Sequence, residues 1–171
     1  GNASGAWDQA AACATDVRAP LSVDNYLVDV ACEAEGRYLF LVLPSTGNRE
    51  GPRILSVSEV QVFSPIPSAC ALGAYKDNGQ QCGVSVDCAP RSNINLARSC
   101  GSDHFQACPT TQSSDRFSSS QSSIAVDGNF VHCGGDCGFT HTVLETNPWW
   151  MVDFEGSRKI SSVRVYNRFD G

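Results

Sequence analysis

Nine cysteines in 171 residues constrain this chain more than any other feature. They stand at Cys13, Cys32, Cys70, Cys82, Cys88, Cys100, Cys108, Cys133 and Cys137. No zinc-like C-x-x-C pair occurs among them, so they read as disulfide staples made in an oxidising compartment. The expected setting is extracellular or cell-surface. Nine is odd, which leaves one thiol free or paired outside these residues. The spacing of Cys100 and Cys108 predicts a closed loop around His104.

The rest of the composition narrows the class. With 42% hydrophobic and 18% charged residues the chain is globular. A net charge of −6 argues against nucleic acid, which needs clustered cations. Only Arg158 and Lys159 are adjacent among the basic residues. No run of eighteen apolar residues occurs, so no membrane insertion is expected. No signal peptide opens the sequence, and Gly1-Asn2-Ala3-Ser4 reads as an interior point of a longer protein. Asn2-Ala3-Ser4 is a sequon, making Asn2 a candidate glycosylation site.

Three segments follow. Residues 1–65 carry strand signals at 26–32, 36–43 and 54–63. The last changes phase at Glu59, which predicts a bulge. Residues 8–14 suit one short turn. Residues 66–92, with Cys70, Cys82 and Cys88 among small polar residues, read as a stapled linker. Residues 93–171 hold strand signals at 149–154 and 160–166. Before them, the Ser/Thr-rich stretch 110–123 reads as a solvated loop, or alternatively an O-glycosylated one. Adjacent strand residues face opposite ways, so one of Trp149 and Trp150 is expected in the core and the other as partial cover. No amphipathic helix and no internal repeat stand out. The expected fold is an antiparallel all-β sandwich.

Several motifs then converge. Residues 93–171 contain N-L-A at 95–97, Q-S-S at 112–114, A-V-D-G-N at 125–129, T-H-T at 140–142, N-P-W-W-x-V-D-F at 147–154 and V-Y-N-R-x-D at 165–170. This segment resembles the first half of an F-type lectin (fucolectin) domain, a jelly-roll relative of discoidin-like modules. Residues 1–65 resemble the last half, through G-N at 1–2, G-R-Y at 36–38, L-P at 43–44 and I-L-S-V-S-E-V-Q-V-F at 54–63. The order is inverted, and the stretch that normally joins the two halves is absent. The chain is therefore either a permuted domain or one period of an array whose halves pair between neighbouring copies. The missing strand favours the array, because an unpaired sheet edge invites addition of a strand from another chain.

The resemblance implies specific residues. Cys13 and Cys32 match the family's long-range disulfide, and Cys133 with Cys137 is expected to bond locally. Phe139 and Ser58 stand where many members have a further cysteine pair. His141, Arg168 and Asp170 match the sugar motif. Imidazole and guanidinium there would grip hydroxyls, and Asp170 would orient Arg168. The motif's last basic residue would fall beyond Gly171, and Gly171 stands where members often have the first of two adjacent cysteines. Read without the family, His141 is a loop histidine and Arg168 a strand arginine. Asp127 and Asn129, with Glu59 and main-chain oxygens, match the family's Ca²⁺ ligands, and hard oxygen donors suit that ion. Gly138 replaces a family serine there. The alternative is an Asx-type turn without metal.

Two functions follow from these readings. One is an extracellular, calcium-containing module that binds fucose-type glycans, with repeated copies supplying avidity. The other is a structural repeat of an extracellular fibre or adhesin that uses the lectin fold as a brick. Enzyme motifs such as G-x-S-x-G, H-E-x-x-H or a phosphate loop do not occur, so catalysis is not expected.

Overall fold

The computed structural model describes residues 7, 10–15, 17, 27–45, 50–65, 95–101, 106–129 and 138–168. Cys70, Cys82, Cys88, Cys133, Cys137, His104, Asn2 and Asp170 lie outside them. The described residues form four strands, β1 (Leu27–Val42), β2 (Val57–Phe63), β3 (Thr110–Gln112) and β4 (Trp149–Asn167). Two short 3-10 turns, Leu96–Arg98 and Ser122–Val126, accompany them. The architecture is all-β and antiparallel, as expected, and consistent with a jelly-roll sandwich.

β4 is the central strand, in the order β1-β4-β2. It pairs with β1 along its whole length, from Leu27 opposite Tyr166 to Val42 opposite Trp149. Its other edge changes partner. β3 takes the first part, with Thr110 opposite Val152, and β2 takes the last, with Val60 opposite Val165. Between them Glu155 adopts φ 60°, and its N–H donates to Asp153 Oδ1 at 2.8 Å. The core follows the period-two pattern of a sheet. Trp150, Val152 and Phe154 of β4 and Val60 and Val62 of β2 are all fully buried. Strands from residues 1–65 thus pair with a strand from residues 93–171 inside a single molecule.

Where the sequence showed four strand signals, two long strands run through. Signals 26–32 and 36–43 merge into β1, with register shifts between Ala31 and Ala34 and between Gly36 and Tyr38. Signals 149–154 and 160–166 merge into β4. The joining residues are polar, but Asp29, Ala31, Glu33, Glu35 and Arg37 are exposed in strict alternation, so β1 keeps its period. The expected bulge in β2 is present between Val57 and Glu59. Where a turn was expected at 8–14, Ala10 N donates to Trp7 O at 3.3 Å.

Two expectations need correction. Trp149 and Trp150 are both buried, at 8% and 0% exposed. They face opposite sides of β4, and Trp149 packs edge-on against Phe40, a diagonal neighbour on β1, with ring centroids 6.1 Å apart. Trp150 Nε1 donates to Ser122 O at 2.9 Å. Nor is 110–123 simply a solvated loop. It contains β3, Ser120 is buried, and the Ser113 and Ser114 hydroxyls donate to Glu145 Oε1 at 2.6 and 2.5 Å. Hydroxyls that bond nearby backbone and carboxylate can pack without an apolar stripe.

Cys13–Cys32 and Cys100–Cys108 are bonded. The first ties residues 10–15 to β1, where Cys32 is buried. Among the described residues no helix is long and apolar enough to cross a membrane.

On the surface, Arg37 forks onto Asp153, with Nε to Oδ1 at 2.7 Å and Nη2 to Oδ2 at 2.8 Å. This pairing holds the Asp153 carboxyl below the usual carboxylate range. A lowered carboxyl contributes stability above its unfolded pKa and loses it as pH falls through its folded pKa. In Arg37→Met the Asp153 titration midpoint should rise toward the ordinary range, read from its carboxyl NMR shift. An unmoved midpoint would exclude the pairing. The half-exposed Arg37 keeps the effect on stability small.

Candidate functional site

His141 and Arg168 of the first set singled out in the sequence, and Glu59, Asp127 and Asn129 of the second, lie around β2. One edge of β2 pairs with β4, placing Val57 opposite Asn167. The other edge receives residues 140–142. Thr140 N donates to Val57 O at 2.8 Å, and Thr142 N to Leu55 O at 3.0 Å. The two threonine hydroxyls accept from Val57 N and Leu55 N. Thr140 and Thr142 are fully buried, and alternation turns His141 the opposite way. Arg168 follows Asn167 directly, so the β2 pairing brings it toward His141.

Phe139 bridges the two. Its ring centroid is 5.9 Å from that of His141, and Arg168 Cζ stands 4.1 Å from the Phe139 centroid. Phe117, about half exposed, meets His141 edge-on at 5.9 Å, and Arg116 lies over Phe117 at 5.2 Å. The result is a row of Arg168, Phe139, His141, Phe117 and Arg116. Read from the sequence as a sugar-gripping or loop histidine, His141 is buried to 4% exposure between two rings. His141 Nδ1 lies 2.7 Å from Thr142 O. A carbonyl can only accept, so Nδ1 donates and Nε2 is the acceptor of the neutral ring. Guanidinium donors, an imidazole acceptor and aromatic faces are the groups that hydroxyl-rich, partly apolar ligands need.

The second cluster lies two residues along β2. Glu59 is fully buried although its neighbour Val60 is buried too, so both faces of the strand are covered there. The cover over Glu59 is the 127–129 turn. Gly128 N donates to Glu59 Oε2 at 3.2 Å, and Asn129 N donates to Asp127 Oδ1 at 2.7 Å. Gly128 has φ +84°, a left-handed conformation that favours glycine. Glu59 Oε1 has no hydrogen-bond partner. Burial, with the nearby Asp127 charge, pushes the Glu59 carboxyl up to about 7, against the opposing pull of the Gly128 N–H and the Arg98 charge. The 127–129 turn therefore covers Glu59, and an orphaned buried carboxylate oxygen within reach of the Asp127 charge fits a hard cation. Among the described residues no group of three or more His, Cys, Asp or Glu side chains gathers, so an ion here would rely also on amide and main-chain oxygens.

Three side chains of these clusters carried no reading in the sequence. Phe139 was noted only where the family has a cysteine, Phe117 sat inside a Ser-rich stretch, and Arg98 belonged to no motif. A weak signal existed for Arg98 alone: N-L-A fixes Asn95 as a cap, and Arg98 ends the turn that follows.

The antiparallel all-β fold is consistent with the sandwich of a discoidin-like domain. A family model described as a NedA-like, galactose-binding domain matches residues 124–171. Fucolectin-6 of Anguilla japonica is 47% identical over 55 residues, 30% of this chain and 27% of that protein. A fucolectin of Anguilla anguilla is 44% identical over 55 residues, 30% of this chain and 32% of that protein. Over these segments the chain is similar to galactose-binding and fucolectin sequences. It spans about a third or less of the curated relatives it matches. No solved structure matches it.

Proposed function

We propose that this chain is a carbohydrate-binding, lectin-like module of an extracellular protein, directed at fucose-type glycans. The row in which Arg168 and His141 both contact the Phe139 ring carries the reading. Arg168 offers a planar fork to a ring oxygen and its neighbouring hydroxyl. His141 Nε2 accepts from a hydroxyl, and the rings receive the apolar face of the sugar. Disulfides suit an oxidising exterior. Glu59, Asp127 and Asn129 would hold Ca²⁺, which supplies charge compensation for Glu59 and fixes the 127–129 turn. Weak single sites would gain avidity from repeated copies.

In a glycan array, His141→Ala should lower fucosylated-glycan signals about tenfold or more, because a hydroxyl is left without its acceptor. An unchanged signal removes His141 from the site. A second reading, a structural brick of a fibre or adhesin, draws on the burial of His141. Absence of any glycan signal from the folded parent chain would favour it.

A further inference from the structure

Arg98 does not belong to the sugar site, yet the fold presents it firmly to the second cluster. Asn95 Oδ1 accepts from Ala97 N at 3.1 Å and from Val62 N at 2.9 Å, tying the 96–98 turn to β2. Cys108 N donates to Ala97 O at 2.8 Å, and Leu96 and Ala97 are buried. On this pinned turn Arg98 is exposed at its outer side, and its guanidinium lies against Gly128. The approach is so close that a Cβ added at Gly128 would collide with Arg98 Nη1. Gly128 is the residue whose N–H holds Glu59 Oε2, and Glu59 is the buried carboxylate with an unpartnered oxygen. One positive charge therefore stands beside the turn that covers Glu59, near enough for its field to reach that carboxyl.

We propose that Arg98 is a built-in counter-cation that holds the 127–129 turn on Glu59 when the pocket lacks a metal, and that it thereby sets the calcium affinity low. The inference rests on the calcium reading of Glu59, Asp127 and Asn129. A group that stabilises the metal-free form more than the loaded form must weaken binding, by reciprocity of coupled equilibria. A neighbouring guanidinium also repels an entering divalent ion directly. Gly128 suits this contact and its left-handed φ of +84°, where a side chain would be strained.

The test uses the whole chain stripped with EDTA, titrated with Ca²⁺ by calorimetry, in the parent, Arg98→Met and Arg98→Lys. Arg98→Met keeps bulk and removes charge, and should bind Ca²⁺ about tenfold tighter than the parent. Arg98→Lys keeps the charge and should stay within about threefold of the parent. In EDTA the melting temperature of Arg98→Met should fall below that of the parent, while at saturating Ca²⁺ the two should coincide. Arg98→Gln replaces Arg98→Met if the latter does not fold. Equal or weaker calcium binding by the neutral variant, with the parent binding normally, overturns the role of Arg98 and leaves the cation site standing. Folded parent and neutral variant that both ignore Ca²⁺ overturn the cation reading, and the role of Arg98 with it.

Discussion

Glu59→Gln should make the calcium-free chain more stable at pH 8, by up to about 3 kcal/mol, and abolish its response to Ca²⁺. The magnitude follows from a carboxyl pushed up to about 7 in the folded state from 4.5. Its sign is opposite to that of a paired surface carboxylate. Between those two pH values the folded chain keeps a proton that the unfolded chain has released. Stability therefore falls as pH rises through the window, and the penalty is complete above about 7. Urea unfolding in EDTA at pH 5 and pH 8 should show the parent losing stability and Glu59→Gln holding level. Glutamine retains an oxygen for the Gly128 N–H, so packing is conserved. A parent that is equally stable at both pH values would mean that Glu59 is not held as a buried, undercompensated acid.

Trp150→Ala should cost about 3–5 kcal/mol in denaturant unfolding, enough to unfold many domains of this size. Trp150 is fully buried on the central strand, and truncation both opens a cavity and strips the Ser122 carbonyl of its indole donor. Trp149→Ala should cost less, because Trp149 lies on the opposite face near the surface with Phe40 as its aromatic partner. A loss below about 1 kcal/mol at Trp150 would contradict the placement of that ring in the core.

The sequence was legible where chemistry and period agreed. Val60, Val62, Trp150, Val152 and Phe154 announced a sheet, and the phase change at Glu59 announced a bulge. The closeness of the 127–129 turn to Glu59 was readable only through family resemblance, since nothing in the spacing of 59 and 128 points one to the other. The joining stretches of β1 and β4 were missed because alternation continued through Glu33, Glu35 and Ser157 without apolar residues to display it. Burial of His141 depends on Phe117 and Phe139, and ring contacts across separate loops leave no periodic trace. Packing of Arg98 against Gly128 is a tertiary coincidence of the same kind.

The pairing of β4 with β1 joins residues more than a hundred positions apart, as in Leu27 opposite Tyr166. β2 makes the same long reach. A sheet built this way has high contact order, and loop-closure entropy must be met before its ladder rewards it. On the ribosome, β1 and β2 emerge well before their shared partner and wait with open edges. Folding of this sheet thus waits for β4, and the chain made before it is the species most in need of chaperone cover.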